Sequence, residues 1–503
     1  MPIDLEATET TEPTAADETA ADETAAPEGP TIHFVSLGCP KNRVDTEVML
    51  GVAERSGYAH VDDPKNAEVI VVNTCGFIDA AKKESIDTIL ELSAYKQEGR
   101  CQRLVVTGCL SQRYPEELSQ GLPEIDNLVG SSDMLALERV LGGAAPRVAV
   151  GNPADWLVGA QDPRRLSTRG RSAYVKIAEG CNRTCSFCVI PQIRGKQRSR
   201  TPDDVIAEVE RLVAAGVIEI NLISQDTVAY GRDQEGAKGA LASLVRRVAE
   251  VPGVHWVRLF YLYPEKLDDE LIELLGQHPR VVPYVDMPLQ HAADDMLRRM
   301  RRGHGGQRLY ELVDRLRTKI PDLTFRSAFI VGHPGETQQE FDELLKFVEF
   351  AQFDRLGVFC YSDEPTARSF ELDHKVPEKT ARSRARKLSR LQEQISQNKL
   401  KALIGRELEV LVEGPSEEFE LVMVGRHAGQ APEIDGGVVL SGGEVRAGEV
   451  HRVRITQVAD YDLLGEVDDA TPPVISAPVV PMRPALSHRS SDGRRVALRT
   501  MPS

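Results

Sequence analysis

The sequence lacks both a membrane-spanning segment and a secretory leader. None of its apolar runs approaches the ~20 residues that a transmembrane helix needs. The first 30 residues contain neither the basic start nor the apolar stretch of a signal peptide. We therefore predict a cytoplasmic protein without membrane association. In that compartment its eight cysteines are reduced, which favours metal binding or catalysis over disulfides.

Several common catalytic signatures are also missing. The chain has no Walker-type phosphate loop, no G-x-S-x-G elbow and no H-E-x-x-H pair. These absences argue against the P-loop nucleotidases, the α/β-hydrolases and the zinc peptidases that carry those motifs.

Both ends of the chain are poor in core-forming residues. Residues 1–30 hold nine acids, no Lys or Arg and a tandem ADETA repeat, and they contribute much of the net charge of −16. Residues 471–503 are rich in Pro and Ser with scattered Arg. We predict that both are disordered tails.

Three ordered blocks are predicted between the tails. In residues 31–150 the runs "TIHFVSL", "AEVIVVNT" and "QRLVVTG" alternate with amphipathic stretches, which predicts an open α/β domain. Each run ends close to a cysteine: Cys39, Cys75 or Cys109. Because carboxyl ends of parallel strands share one sheet edge, we expect these cysteines to meet there. The competing interpretation is that they are small buried residues at strand ends.

After a linker at 151–170, residues 171–402 contain six strand-like runs with helical stretches between them. This pattern predicts a partial parallel (β/α)6 barrel, whose chemistry would lie on the loops after its strands. Residues 403–470 read as short strands with turn glycines, which predicts a small antiparallel β-barrel.

The stretch "EGCNRTCSFCVI" places three cysteines, Cys181, Cys185 and Cys188, after the first strand of the second block. Thiolates favour zinc, copper(I) and iron–sulfur clusters. A four-iron cluster held by three cysteines keeps one iron open for a ligand, whereas structural zinc needs a fourth ligand and no histidine lies between Tyr174 and Thr201. The spacing favours an iron–sulfur cluster, with zinc and purely structural cysteines as alternatives. We treat Cys101 and Cys360 as non-ligands.

With Phe187 before the last cysteine, this motif resembles the signature of radical S-adenosylmethionine (SAM) enzymes. In that superfamily the three cysteines hold a 4Fe–4S cluster that binds SAM and cleaves it to a 5′-deoxyadenosyl radical. The wider stretch "YVKIAEGCNRTCSFCVIPQIRGKQRSR" resembles the methylthiotransferase branch, which has three such domains, the last a TRAM barrel. The resemblance implies that Cys39, Cys75 and Cys109 hold a second 4Fe–4S cluster carrying the transferred sulfur. It implies no catalytic residue beyond the cluster ligands.

Two substrates divide that branch, an adenosine of tRNA and an aspartate of a ribosomal protein. "LGCPKNRVDTE", "LISQDTVAYG" and "GRHAGQAPEIDG" are similar to the ribosomal-protein enzymes. Residues 403–470 contain fifteen acids and five Lys or Arg, a balance that would repel RNA and attract a basic ribosomal protein. Alternatively, those acids form only a solvated face.

We therefore expect an enzyme that methylthiolates the β-carbon of an aspartate in the twelfth small-subunit ribosomal protein, free or within the ribosome. Its cofactors would be two 4Fe–4S clusters and SAM, with a reducing electron donor as a further partner; direct RNA contact stays open. The rival hypotheses are a tRNA adenosine methylthiotransferase and a non-catalytic metal-binding scaffold on the ribosome.

Overall fold

The computed structural model describes residues 29–168, 170–234, 239–416, 421–468 and 470–476. Most of both predicted tails, namely residues 1–28 and 477–503, lies outside these ranges. Of the C-terminal tail, Ile475 forms an isolated β-bridge with Val450.

The N-terminal sheet is built from β1 (Thr31–Ser36), β2 (Ala59–His60), β3 (Val69–Thr74), β4 (Arg103–Gly108), β5 (Asn127–Val129) and β6 (Val148–Ala149). Its helices are α1 (Pro40–Arg55), α2 (Asp79–Ser93), α3 (Tyr95–Glu98), α4 (Cys109–Arg113), α5 (Pro115–Gly121) and α6 (Leu137–Leu141). The described strands are all parallel, in the order β2-β1-β3-β4-β5-β6. β3, "VIVVNT", is buried along its whole length because apolar cores cover both faces of the sheet.

The central sheet is built from β7 (Ser172–Lys176), β10 (Glu219–Ile223), β11 (Trp256–Leu259), β12 (Val281–Asp286), β13 (Thr324–Val331) and β14 (Arg355–Cys360), and the ribbon β8 (Ala178–Glu179) with β9 (Arg198–Ser199) follows β7. The helices of this region are α7 (Ile190–Arg194), α8 (Pro202–Ala214), α9 (Ala240–Glu250), α10 (Asp269–Gln277), α11 (Asp294–Arg299), α12 (Gly306–Lys319), α13 (Gln338–Ala351) and α14 (Glu378–Lys401). The strand order β14-β13-β12-β11-β10-β7 is parallel and open, which confirms the partial (β/α)6 barrel. Short 3-10 helices lie at Pro64–Asn66, Met134–Ala136, Thr227–Ala229 and Arg368–Glu371.

The C-terminal barrel is closed by β15 (Glu407–Pro415), β16 (Met423–His427), β17 (Val438–Ser441), β18 (Val450–Ala459) and β19 (Asp462–Val467). Its pairings are antiparallel except that of β17 with β19, which is parallel. A closed ring with an odd number of strands requires at least one parallel pair. The predicted small antiparallel barrel is therefore confirmed, except that one of its strand pairs, β17 with β19, is parallel.

One apolar cluster joins the three parts of the chain. It contains Val44 of α1, Tyr174 and Tyr284 of the central sheet, and Leu411 and Ala431 of the C-terminal barrel, all fully buried. The segment "GRHAGQAPEIDG" lies in this contact: Tyr174 donates a hydrogen bond to the Pro432 carbonyl at 3.0 Å. The segment "GRHAGQAPEIDG" thus helps to hold the C-terminal barrel against the central sheet.

Candidate active site

The loop at residues 180–189, called the cluster loop below, follows the first central strand, as predicted. Cys181 and Cys185 are buried, Cys188 is half-buried, and all three are free thiols. The loop starts at Gly180, whose φ is +84° and where a Cβ would collide with the Lys196 carbonyl. Only glycine fits both conditions, so this residue fixes the direction in which the loop leaves β8.

Two arginines and a tyrosine lie against the cluster loop. Arg302 donates a hydrogen bond to the Cys185 sulfur at 3.5 Å, and the Tyr263 hydroxyl lies 3.9 Å from the same sulfur. The guanidinium groups of Arg183 and Arg302 lie 4.1 and 4.3 Å from the centroid of the Tyr263 ring. Burial raises the pKa of the Cys181 thiol to about 11, and the nearby cationic side chains favour its anionic form.

The other three cysteines occupy equivalent positions on the N-terminal sheet. Cys39 follows β1 and caps α1, Cys75 follows β3, and Cys109 follows β4 as the first residue of α4. β1, β3 and β4 are adjacent parallel strands, so the three cysteines lie on one edge, as expected from the sequence. Burial raises the pKa of Cys75 to about 12, and the charges of Cys109 and Cys39 add to this increase. We call them the rim cysteines.

Both triads suit an iron–sulfur cluster better than a single ion. Each offers three soft sulfur ligands and keeps one position open for another molecule. Within the described ranges, no three His, Cys, Asp or Glu side chains are spaced to hold one metal ion. Three soft thiol donors at each triad are the donor set of the iron–sulfur group that the sequence implied.

A buried charged network connects Cys109 to the strand before the cluster loop and the helix after it. Asp45 of α1 accepts hydrogen bonds from Lys176 of β7 at 2.5 Å and from Arg194 of α7 at 2.8 Å. Arg194 also donates to Asn42 at 2.6 Å and to the Cys109 sulfur at 3.4 Å. Burial disfavours its charge, but Cys109, Asp45 and Glu179 hold the pKa of Arg194 above its usual value. A side chain that follows the cluster loop therefore reaches a rim cysteine.

Lys41 projects from the start of α1 toward the strand ends of the central sheet. Its ammonium nitrogen lies 2.9 Å from the centroid of the Tyr261 ring, and the residue is 8% exposed. Burial lowers its pKa to about 8, although the charges of Cys39, Asp286 and Glu179 oppose the decrease.

Other polar residues that follow the central strands form structural pairs. Asp226, after β10, accepts a hydrogen bond from Arg183 at 2.6 Å. His291, after β12, lies 3.3 Å from Glu336 of the "GHPGE" stretch, and Arg384 donates to Glu336 at 2.8 Å. Cys101 is packed in the N-terminal core and Cys360 is exposed at the end of β14, so the structure brings neither to a triad.

Sequence reasoning missed Lys41, Arg194, Tyr263 and Arg302. Lys41 had a usable signal, since it stands two residues after Cys39 in "LGCPKNR". Arg194, Tyr263 and Arg302 approach the cysteines only in the folded chain, so their positions in the sequence do not reveal them as site residues.

Known families match all three parts of the chain. Residues 31–130 match the uncharacterized protein family UPF0004, residues 175–348 match the radical SAM superfamily, and residues 404–467 match the TRAM domain. The ribosomal protein uS12 methylthiotransferase RimO of Sorangium cellulosum (strain So ce56) is 66% identical over 478 residues, covering 92% of this chain and 98% of that protein. The chain belongs to the RimO family.

Further RimO proteins support the assignment. That of Anaeromyxobacter sp. (strain K) is 48% identical over 437 residues, covering 87% of this chain and 93% of its own length.

Among solved structures, the radical SAM methyltransferase TsrM of Kitasatospora setae has a TM-score of 0.49 at 17% identity, covering 66% of this chain and 74% of that one.

Membership makes the protein a radical SAM methylthiotransferase with a TRAM barrel, as the sequence predicted. An iron–sulfur cluster and SAM are the cofactors that this superfamily implies. In the described part of the chain, no helix has the length and apolar character to cross a bilayer. The boundaries 31–150, 151–170, 171–402 and 403–470 stay predictions, as do the individual ligand assignments.

Proposed function

We propose that this protein transfers a methylthio group to the β-carbon of one aspartate in ribosomal protein uS12. The observation that carries the proposal is the presence of two cysteine triads, one after the first central strand and one on the rim of the N-terminal sheet, with the buried Asp45 network joining Cys109 to the segments on either side of the cluster loop. Membership of the RimO family supplies the substrate, since its members are named as uS12 methylthiotransferases.

Cys181, Cys185 and Cys188 would hold one 4Fe–4S cluster and the rim cysteines a second. When bound, the first supplies the electron that cleaves SAM and the second carries the sulfur that is transferred, with electrons from a separate reductant. The chain itself orients and shields these groups: Arg302 and Tyr263 line the cluster loop, and Arg194 fixes the position of Cys109. Burial of Cys109, Cys181 and Cys185 limits the access of solvent to both triads.

The test combines metal analysis with product analysis. Replacing Cys181, Cys185 and Cys188 together with alanine should remove about half of the iron and sulfide of the anaerobically reconstituted protein, as expected for one of two equal clusters. The same change at the rim cysteines should remove the other half. Cys360→Ala, at an exposed cysteine outside both triads, is the matched control and should retain all the iron.

Mass spectrometry of uS12 and of tRNA from a deletion strain then identifies the substrate. We expect the methylthio group to disappear from the uS12 aspartate and the tRNA modifications to stay unchanged. Zinc in place of iron, or loss of a tRNA methylthio group with unchanged uS12, would refute the proposal.

A further inference from the structure

A cavity of about 720 Å³ lies at the start of α14, at the end of the central sheet that also carries the cluster loop. Its walls come from residues 334–337 after β13, residues 372–377 after β14, Arg299 at the end of α11, and the first turns of α14. Segments that follow parallel strands meet at one end of the sheet, where chemistry and binding take place in such folds. The residues that line the cavity include no triad cysteine.

Two arginines line this cavity with nitrogen atoms that have no acceptor. Arg384 is 7% exposed and donates from Nη1 to the side chain and the carbonyl of Glu336, at 2.8 and 3.0 Å. Arg299 donates from Nη2 to Glu340. Among the described residues, nothing accepts a hydrogen bond from the Nε of either arginine. Guanidinium groups with unused donors at the wall of a cavity suit an anion.

The N-terminus of α14 lies at the wall of the same cavity. Its N-cap is Pro377, which has no side-chain acceptor for the first N–H groups of the helix. The helix is 24 residues long, so its dipole places partial positive charge at this end. α13, which also begins at the cavity, is closed by the capping box of Thr337 and Glu340. The uncapped N–H groups of α14 therefore add to the attraction of the arginines for an anion.

Positive side chains outnumber acids at the wall of the cavity. Arg299, Lys375 and Arg384 face two acids of the lining, Glu336 and the exposed Asp373. The Glu336 carboxylate is already bound by Arg384 at 2.8 Å. A phosphate group fits such a wall, because its oxygens accept hydrogen bonds from guanidinium and backbone N–H groups alike.

A row of exposed cations continues from the cavity along α14. Lys379 stands between two residues of the lining, and Arg382, Arg386 and Arg390 follow at intervals of three, four and four residues. This spacing places the four side chains on one face of the helix, spread over roughly 16 Å. All four are exposed, and Arg382 is paired with Glu378. On a chain with a net charge of −16, such a row indicates a contact with the phosphates of a nucleic acid.

We propose that the cavity binds a phosphate of the RNA that surrounds uS12, so that the assembled small ribosomal subunit is the form in which uS12 is recognised. The choice of ribosomal RNA rests on the proposed function. Ser186 of the cluster loop donates a hydrogen bond to the carbonyl of Arg299 at 2.9 Å, so the cavity adjoins the loop at which SAM is cleaved. A phosphate held in the cavity fixes the RNA beside the opening that the uS12 aspartate must enter.

Thr380→Glu tests the site with a change that favours the helix. It adds an acid to the first turn of α14, where acids stabilise a helix, and places that acid at the cavity wall, where it repels phosphate. In the reconstituted holoprotein we expect the Kd for small ribosomal subunits to rise by about 10-fold to 100-fold, the range for lost hydrogen bonds to a charged group. The Kd for free uS12 and the thermal unfolding temperature should stay as in wild type.

Arg299→Met removes one cation of the wall and gives a second, independent readout. We expect weaker subunit binding, and a slope of log Kd against log salt that is smaller by about 0.7 for the lost phosphate contact. Ser243→Glu is the matched control: Ser243 is exposed in the first turn of α9, which follows β10, on the far side of the open sheet from β14. This variant should bind subunits as wild type does.

Two results would overturn the inference: subunit binding that neither Thr380→Glu nor Arg299→Met changes, or equal weakening of the binding of subunits and of free uS12. Inorganic phosphate is the third probe. If Thr380→Glu abolishes its binding and leaves subunit binding intact, the cavity holds free phosphate and the assignment to RNA is wrong.

Binding is measured without turnover, so the two proposals fail separately. A wild-type holoprotein that binds subunits through the cavity but methylthiolates only tRNA refutes the proposed function alone. A holoprotein that methylthiolates uS12 while both variants bind subunits as tightly as wild type refutes the inference alone.

Discussion

Glu219 of β10 shows how a single buried acid connects two parts of the molecule. It accepts a hydrogen bond from Arg258 of β11 at 3.0 Å and from Arg426 of β16 at 2.7 Å, and all three side chains are buried. Burial alone would raise the pKa of Glu219, but Arg426 and Arg258 lower it to about 2. The C-terminal barrel is therefore anchored to the central sheet by an ionised carboxylate.

Glu219→Gln should destabilise the protein by about 3–5 kcal/mol, because it leaves the buried Arg258 guanidinium without a counter-charge and leaves Arg426 with Glu413 alone. Urea unfolding followed by circular dichroism measures this. The folded-state pKa lies below the ordinary value of 4.5, so the stabilisation is complete above pH 4.5 and is lost as pH falls toward 2. The variant should lose this part of the acid sensitivity.

Glu270→Gln is the matched control for that measurement. Glu270 pairs with Arg246 at 3.0 Å, but both side chains are almost half exposed, so the change should cost less than about 1 kcal/mol. Equal destabilisation by the two variants would contradict the role assigned to Glu219.

At the scale of residues, the sequence predicts the cysteine triads more readily than it predicts which buried charged residues pair with each other. The triads follow from local spacing and from the positions of strand ends. The pairs Lys176–Asp45 and Arg194–Asp45 join residues 131 and 149 positions apart, and no periodicity along the chain encodes such pairings. Lys41 was visible as a neighbour of Cys39, but only the fold shows its contact with the Tyr261 ring.

At the scale of elements, the turn between β1 and α1 depends on one glycine. Gly38 has a φ of +91°, and a Cβ there would lie 2.8 Å from the Cβ of Cys75. That separation is shorter than any normal carbon–carbon contact. Glycine thus lets two rim cysteines approach each other.

Gly38→Ala should push Cys75 away from Cys39 and reduce the iron bound by the rim cysteines. We expect about half of the total iron to be lost, with SAM binding at the cluster loop retained. Iron analysis and electron paramagnetic resonance of the reduced protein measure the two effects.

Gly57→Ala provides the comparison within the same sheet. Gly57 has a similar φ of +82°, but nothing lies within 4 Å of a Cβ built there. This change should introduce only backbone strain of about 1–2 kcal/mol and leave the iron content intact. Loss of iron from both variants alike would show that strain, not the contact with Cys75, is responsible.

Long strand-like runs were predicted well and very short ones were not. The six runs of the second block correspond to β7 and β10 to β14. β2 and β6, with two residues each, and the parallel pairing of β17 with β19 were not foreseen. Two residues hold no alternation to detect, and strand order within a closed barrel depends on tertiary contacts.

At the scale of the whole molecule, the acidic C-terminal barrel proves to be partly an internal partner. Glu433 pairs with Arg43 of α1 at 3.0 Å, Tyr284 donates to Asp435 at 2.8 Å, and Glu413 pairs with Arg426 at 2.6 Å. Glu433 and Asp435 join the barrel to the rest of the chain and Glu413 pairs within the barrel, so none of these acids is available to a basic ribosomal protein. The charge argument for the substrate must therefore rest on the remaining, exposed acids.

The contact between the N-terminal and central sheets should depend on Asp45. Asp45→Asn removes one of the two buried acids, Asp45 and Glu179, that pair with Lys176 and Arg194, which should cost about 3–5 kcal/mol. Hydrogen–deuterium exchange should then report faster exchange in α1 and β7. Asp87→Asn, at an exposed pair with Lys83, should leave the exchange pattern as in wild type; unchanged exchange in Asp45→Asn would contradict this role.

The contact of Lys82 and Arg113 with Glu364 has a consequence for the making of the protein. Glu364, nearly inaccessible to solvent, lies 2.9 Å from Lys82 and 2.7 Å from Arg113, yet 251 residues separate it from Arg113 along the chain. At roughly 5–20 residues per second, synthesis of that interval takes about 13–50 s. During this time the N-terminal sheet exists without the segment that closes over it. Cys109 is therefore without its later cover by Ala367 while the chain is still being translated, and the contacts of Glu364 can form only at the end of that period.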